Sequence, residues 1–205
     1  MTTAILVAFS LFALVSSITP GPNNVMLLAS GVNYGFRRTI PHMLGITIGF
    51  SVMLVMVGLG LAEFFLRAPG FYSVLRWAGA IYLVYLALRI AMSGPATADP
   101  DSAATSRPFG FLAAALFQWV NPKAWVVAVT AFSTYVPAGV SSTWVLAFGL
   151  LFAVVNIPCI SIWVLFGTLL KHWLREPRTA RIFNVIMAIL LLVSLAPMLD
   201  AGAGN

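Results

Sequence analysis

The chain alternates long apolar stretches with short polar ones. Uncharged or nearly uncharged runs cover about residues 4–33, 43–66, 72–92, 109–135, 144–170 and 183–199. A bilayer core of about 30 Å needs roughly 17–25 apolar residues in a helix. The runs meet that length, so the pattern predicts six transmembrane helices. They are apolar nearly all round, without the strong 3.6-residue stripe of a helix on a soluble core. The punctuation is clear. Gly35-Phe36-Arg37-Arg38 closes the first run and Pro41 starts the next element. Arg67-Ala68-Pro69-Gly70 ends the second, and Glu63 is expected at its interface. Residues 93–108, with Asp99, Asp101 and Arg107, form a polar Pro/Ala/Ser/Thr linker. Val136 to Thr143 is an uncharged turn, and Lys171 to Arg181 a basic loop. Gly45 and Gly49 give the second run a small-xxx-small face, which lets two helix backbones approach closely.

Composition supports the bilayer. The chain is 61% hydrophobic and 8% charged, with mean hydropathy +1.00, where soluble domains carry about 25% charged residues. A net charge of +6 follows from the scarcity of acids and does not call for nucleic acid. Val15-Ser16-Ser17 offers small residues of a cleavage site, but no basic segment precedes it, so the first run is expected to stay as a span.

Lys and Arg set the orientation. Arg37, Arg38, Arg89, Arg107, Lys171, Arg175, Arg178 and Arg181 flank the loops after spans one, three and five, against Arg67 and Arg76 on the other side. Eight against two puts the first set in the cytoplasm and both termini outside, in a multi-pass protein of the cytoplasmic (inner) membrane.

Two spans carry breaks that a helix in lipid does not tolerate without compensation. Thr19-Pro20-Gly21-Pro22-Asn23-Asn24 interrupts the first, and Gln118-Trp119-Val120-Asn121-Pro122-Lys123 the fourth. Proline has no N–H to donate, and a freed backbone group in hydrocarbon costs several kcal/mol in order of magnitude, so such segments belong where they line a cavity or are buried in protein. The first break lies 13–18 residues before Arg37 and the second 11–16 residues after Arg107. At ~1.5 Å per residue both fall roughly 16–27 Å from a cytoplasmic charge, near mid-membrane, in mirrored order. The expected architecture is therefore an all-α polytopic membrane protein. Its single transporter domain, 1–205, holds two inverted three-helix repeats, about 1–92 and 109–200, with the first and fourth helices broken at proline. Interrupted segments in corresponding positions of two halves point to a transporter's binding site.

The chemistry of such a site suits a small zwitterion. One stub of a broken helix presents free N–H groups to a carboxylate, and the other free C=O groups to an ammonium. Asn23, Asn24, Gln118 and Asn121 each offer a donor and an acceptor. Lys123 is the one deeply placed charge, costly at mid-bilayer by roughly 2.5–3.5 kcal/mol. It is expected to face the cavity, where it either attracts a carboxylate or changes protonation during transport. Asn156, before Pro158 in the fifth run, divides evenly between substrate contact and interhelical hydrogen bonding. Tyr82 and Tyr85 either face the cavity or pack between helices.

Other classes fit less well. A thiol–electron carrier needs paired cysteines and Cys159 is alone. His42 and His172 have no ligand partner at metal spacing, no cofactor is implied, and a protease would need an acid pair or a supported Ser–Lys dyad. A passive channel, an accessory subunit, or export of another small zwitterionic metabolite stays open, as does an oligomer.

With both breaks in view, the chain resembles the LysE/RhtB family of amino-acid exporters. The residues that carry the resemblance are Thr19-Pro-Gly-Pro-Asn-Asn24, Gly35-Phe-Arg-Arg38 with Gly45 and Gly49, Trp77-Ala-Gly-Ala-Ile-Tyr82, and Asn121-Pro-Lys-Ala-Trp125. The resemblance spans essentially the whole chain. It implies efflux of small amino acids or derivatives in exchange for protons, and no enzyme activity. Asn23-Asn24 and Phe132-Ser-Thr-Tyr135 are most similar to the cysteine/O-acetylserine exporter branch, from whose counterpart motif Pro122 departs.

Overall fold

The computed structural model describes residues 1–61, 69–92, 109–137, 139–171, 174 and 176–195, with 69, 71, 72, 75 and 76 described by backbone alone. Among them all regular structure is helical. In chain order come α1 (Thr3–Ile18), α2 (Pro22–Met56) running on into a π turn at Val57–Leu61, and α3 (Pro69–Ala91). There follow α4 (Phe111–Phe117) with a 3₁₀ turn at Gln118–Val120, α5 (Pro122–Thr130) with a π turn at Ala131–Tyr135, α6 (Ser142–Leu170) and α7 (Pro177–Val193). α2 with its π turn, and α6, are long and apolar enough to cross a bilayer; α4 and α5, bent by 70°, are so as one broken pair. Glu63, Arg67, the linker 93–108 and His172 lie outside the described residues.

The breaks fall where the prolines require them. A residue before proline is pushed out of helical geometry. Thr19, before Pro20, has φ −68° and ψ 146°, and Asn121, before Pro122, has φ −85° and ψ 112°. Pro22 and Pro122 then sit at the first position of the resumed helices, where a missing N–H costs nothing. Between the first two runs the chain makes a sharper turn than the sequence suggests. Gly35 alone, at φ 77° and ψ 173°, turns α2 into parts 22–34 and 36–56. Arg37 and Arg38 stand exposed after that turn, and Pro41 lies inside the second part rather than starting it. α7 also begins earlier than expected, at Pro177, which opens the helix; α3 is helical from Pro69 on among the described residues.

Packing is closest where side chains are absent. A Cβ on Gly31 would strike the carbonyl of Val164, and one on Gly167 the carbonyl of Leu28, so α2 and α6 cross backbone to backbone. The Gly45/Gly49 face packs as its spacing predicts: a Cβ on either would collide with Phe111 or Ala115 of α4. One apolar core gathers Phe9, Phe50, Trp125, Phe148 and Phe152 around the α1–α6 contact. A second gathers Leu83, Phe117, Met187 and Leu191 between α3 and α7. Tyr82 packs into this second core, its ring 5.7 Å from Phe117 and 6.3 Å from Phe109, whereas Tyr85 is half exposed. Large apolar side chains such as Leu150, Val154 and Leu169 stand on the outer surface, as lipid contact requires.

Candidate functional site

The two breaks meet. Asn23, in the first turn of α2, and Gln118, at the end of α4, form a reciprocal amide pair: Asn23 Nδ2 donates to Gln118 Oε1 at 2.8 Å, and Gln118 Nε2 to Asn23 Oδ1 at 3.2 Å. Gln118 is fully buried, and its Nε2 also donates to the carbonyl of Ala114 at 2.9 Å. The second bridge runs from an ammonium to neutral oxygens. Lys123 Nζ, from the first turn of α5, donates to Thr19 O at 2.8 Å, Thr19 Oγ1 at 2.9 Å and Pro20 O at 3.1 Å.

Each stub then answers separately for its freed backbone groups. Past the last turn of α1, Ser17 O and Thr19 O accept from Asn24 Nδ2, both at 2.8 Å. Ile18 O accepts from Trp163 Nε1 of α6 at 3.1 Å, and Ser16 O from Thr19 Oγ1 at 3.1 Å. The carbonyl end of the first break is thus closed by side chains from α2, α5 and α6. The amide end of the second break is closed as well. Asn121 caps α5, its Oδ1 accepting from Lys123 N–H at 3.1 Å, and its carbonyl accepts from Ala124 and Trp125.

The amide end of the first break differs. The first bond within α2 is Val25 N–H to Gly21 O at 3.0 Å. Gly21 has no side chain to cap with, and among the described residues no side chain takes its place. The N–H groups of Asn23 and Asn24 precede that bond, at the positive end of the dipole of the 22–34 segment. Free amides at a helix N-terminus favour negative charge.

A cleft of about 50 Å³ lies at this junction, with Gly21, Asn23, Asn24, Asn121, Lys123 and Asn156 in its lining. Thr19, Pro20, Pro22, Gln118 and Pro122 do not line it; they hold the stubs that do. Phe50, Phe152, Ile46 and Ile160 form its apolar wall. Asn156 makes the interhelical hydrogen bonds that were one of the two roles open to it in the sequence. It lines the cleft, and it also ties helices together, with Nδ2 donating to Ser17 Oγ at 3.0 Å and Oδ1 accepting from Thr47 Oγ1 at 2.9 Å. α6 runs through Pro158 without interruption.

Sequence reasoning missed Ser17, Thr47 and Trp163. Thr47 was legible as a polar residue between Gly45 and Gly49. Trp163 lies seven residues after Asn156, two turns on the same helix face. A second cavity of about 340 Å³ lies apart from these residues, lined by Asn33, Tyr34, His42 and Arg89 among others. His42 is buried there, its ring 5.2 Å from Phe109.

The sequence model of a family described as LysE type translocator matches residues 14–197. The cysteine/O-acetylserine efflux protein of Escherichia coli O139:H28 (strain E24377A / ETEC) is 35% identical over 94% of this chain and 96% of its own. Those of Escherichia coli (strain K12) and Shigella sonnei (strain Ss046) are each 35% identical over 93% of this chain and 95% of their own. No solved structure matches.

Proposed function

The chain belongs to the LysE family of translocators, and on that footing we propose that it exports small amino acids or their derivatives across the inner membrane in exchange for protons. It is a multi-pass membrane transporter and not an enzyme. The proposed architecture is six spans in two inverted repeats, with substrate held between the broken first and fourth. Both termini lie outside the cytoplasm. The larger cavity, beside Arg89, is then the cytoplasmic antechamber.

One observation carries the location of the site. Two breaks about 95 residues apart in sequence are joined through Asn23–Gln118 and Lys123–Thr19, and around that junction a zwitterion's two kinds of partner stand side by side. The uncapped amides of Asn23 and Asn24 attract a carboxylate, and the carbonyls that end α1 attract an ammonium. The relatives named for cysteine/O-acetylserine efflux make those two compounds the first substrates to test.

The test is counterflow in proteoliposomes, each loaded with one amino acid and assayed for exchange with and without a pH gradient. Exchange stimulated by an inward proton gradient is expected for at least one small amino acid. No response to any amino acid or close derivative refutes the reading. Flux that only ever runs downhill makes the protein a channel instead.

A further inference from the structure

We propose that the Lys123 ammonium is a tethered stand-in for the substrate's own ammonium, and that competition between the two for the carbonyls ending α1 couples export to protons. This rests on the reading that the cleft binds an amino acid, and goes on to say how the proton enters.

Lys123 Nζ has three oxygen partners, Thr19 O, Thr19 Oγ1 and Pro20 O, at 2.8–3.1 Å. None is a carboxylate. The charge is held by carbonyl and hydroxyl dipoles at a helix C-terminus. An α-ammonium has the same charge and the same three donors, so it is recognised by the same oxygens.

Most other acceptors around the cleft already have a donor: among the described residues Ser17 O is engaged by Asn24, Ile18 O by Trp163, Asn23 Oδ1 by Gln118, Asn121 Oδ1 by Lys123 N–H, and Asn156 Oδ1 by Thr47. Asn24 Oδ1 is a single oxygen, against the three that hold Lys123. Two ammonium groups on one cluster repel. Space points the same way. The cleft of about 50 Å³ holds a few water molecules, less than an amino acid fills. Gly21 leaves the slot through which the Lys123 side chain reaches in: a Cβ there would lie 2.6 Å from Lys123 Cδ and 3.1 Å from Nζ.

Substrate therefore enters as Lys123 gives up its proton and its place. The exchange balances as protonated carrier plus zwitterion giving neutral carrier–zwitterion complex plus one proton. Released outside, the substrate leaves the carbonyls free, Lys123 takes a proton there, and the reset carrier returns with it. No buried carboxylate is needed. Beside Lys123 the polar side chains of the cleft are Ser16, Ser17, Asn23, Asn24, Asn121 and Asn156, contributed by α1, α2, α6 and the second break; none titrates.

The experiment is titration calorimetry of O-acetyl-L-serine and L-cysteine onto the detergent-purified full chain, in buffers of different ionisation enthalpy. Wild type is expected to release one proton per substrate bound. Its affinity should rise about tenfold per pH unit while Lys123 is protonated. Lys123→Met is expected to bind without proton release and without pH dependence. Lys123→Arg keeps a cation that cannot deprotonate, and is expected to bind without pH dependence and at least 100-fold more weakly than wild type at alkaline pH. If Lys123 attracted the carboxylate instead, arginine would substitute for it and methionine would not. Absence of proton release in wild type, or wild-type affinity in Lys123→Arg at alkaline pH, overturns the competition while leaving the site itself standing. A folded wild type that binds neither probe nor any other amino acid overturns the site, and the competition with it.

Discussion

Replacing Asn23 by alanine separates what the two breaks do for each other from what they do for a substrate. Gln118 Oε1 would lose its one side-chain donor among the described residues, at 2.8 Å, while Gln118 Nε2 keeps the carbonyl of Ala114 at 2.9 Å. Gln118 is fully buried, so water does not replace that donor. A buried acceptor left unmade costs about 1–3 kcal/mol. Gln118→Leu is the milder single change, because Asn23 is partly exposed in the cleft and can hydrate, leaving a loss of about 0.5–1.5 kcal/mol. In the double variant both polar partners are gone, and a matched apolar replacement can be nearly neutral. The double variant should therefore be more stable than the sum of the singles by about 1–3 kcal/mol.

The assay is equilibrium unfolding of the four proteins in mixed micelles, read as a double-mutant cycle, with counterflow measured on the same preparations. Stability should return in the double variant while substrate affinity does not, because in the proposed site Asn23 also faces the substrate. Additivity within about 0.3–0.5 kcal/mol would mean that the amide pair does not join the breaks. A double variant that exchanges substrate as wild type does would mean that the cleft lies elsewhere.

Asn121→Ala removes the cap of α5, at 3.1 Å from Lys123 N–H; it should cost about 1 kcal/mol in unfolding and weaken substrate affinity in counterflow, with normal insertion. Gly79→Ala drives a Cβ into the carbonyl of Val120 at the second break, which should cost about 1–3 kcal/mol and lower the unfolding midpoint. Asn156→Ala strips partners from Ser17 and Thr47, and a loss of about 1–3 kcal/mol is expected in the same assay. One proton in per neutral substrate out moves one positive charge inward. An inside-negative potential of about 100 mV, worth roughly 2.3 kcal/mol per charge, should then sustain an approximately 50-fold outward gradient at equal pH, measurable with a potassium diffusion potential.

The two breaks were legible because prolines are absolute. Pro20, Pro22 and Pro122 cannot donate, and in an apolar run that alone marks where the backbone must be served by something else. The Gly45/Gly49 spacing was legible for a similar reason, since a missing Cβ is a property of the residue. What could not be read is which partner serves which group. That Asn24 turns back to Ser17 and Thr19, while Asn23 reaches across to Gln118, depends on the angle between the stubs. Sequence distance from a basic loop gives depth, and no angle follows from it. Trp163 was hidden because tryptophan in a lipid-facing helix is usually apolar bulk, and its N–H matters only once Ile18 O lies beside it. Helix ends went astray at Gly35 and Pro177, where one residue does what a loop was expected to do.

The two breaks mirror each other in sequence order and differ in chemistry, and the difference bears on what is selected. The carbonyls ending α1 are engaged by Asn24, Trp163 and Lys123, and the amides opening α5 by Asn121. Of the two resumed helices, α5 has a side-chain cap and α2, among the described residues, has none. In the proposed site a carboxylate settles there whatever side chain accompanies it, since backbone N–H groups read only charge and shape. The amino group must contend with Lys123. Neither contact distinguishes one amino acid from another, so discrimination falls to the wall of Phe50, Phe152, Ile46 and Ile160. Such a wall measures size and rejects an extra polar group only weakly, by factors of about 10–200 per methylene and about 100 for an added hydroxyl. A family of small side chains, rather than one, is the expected cargo. Phe152→Ala should enlarge the set towards bulkier amino acids in competition counterflow; an unchanged order of competitors would place the side chain of the substrate against some other surface.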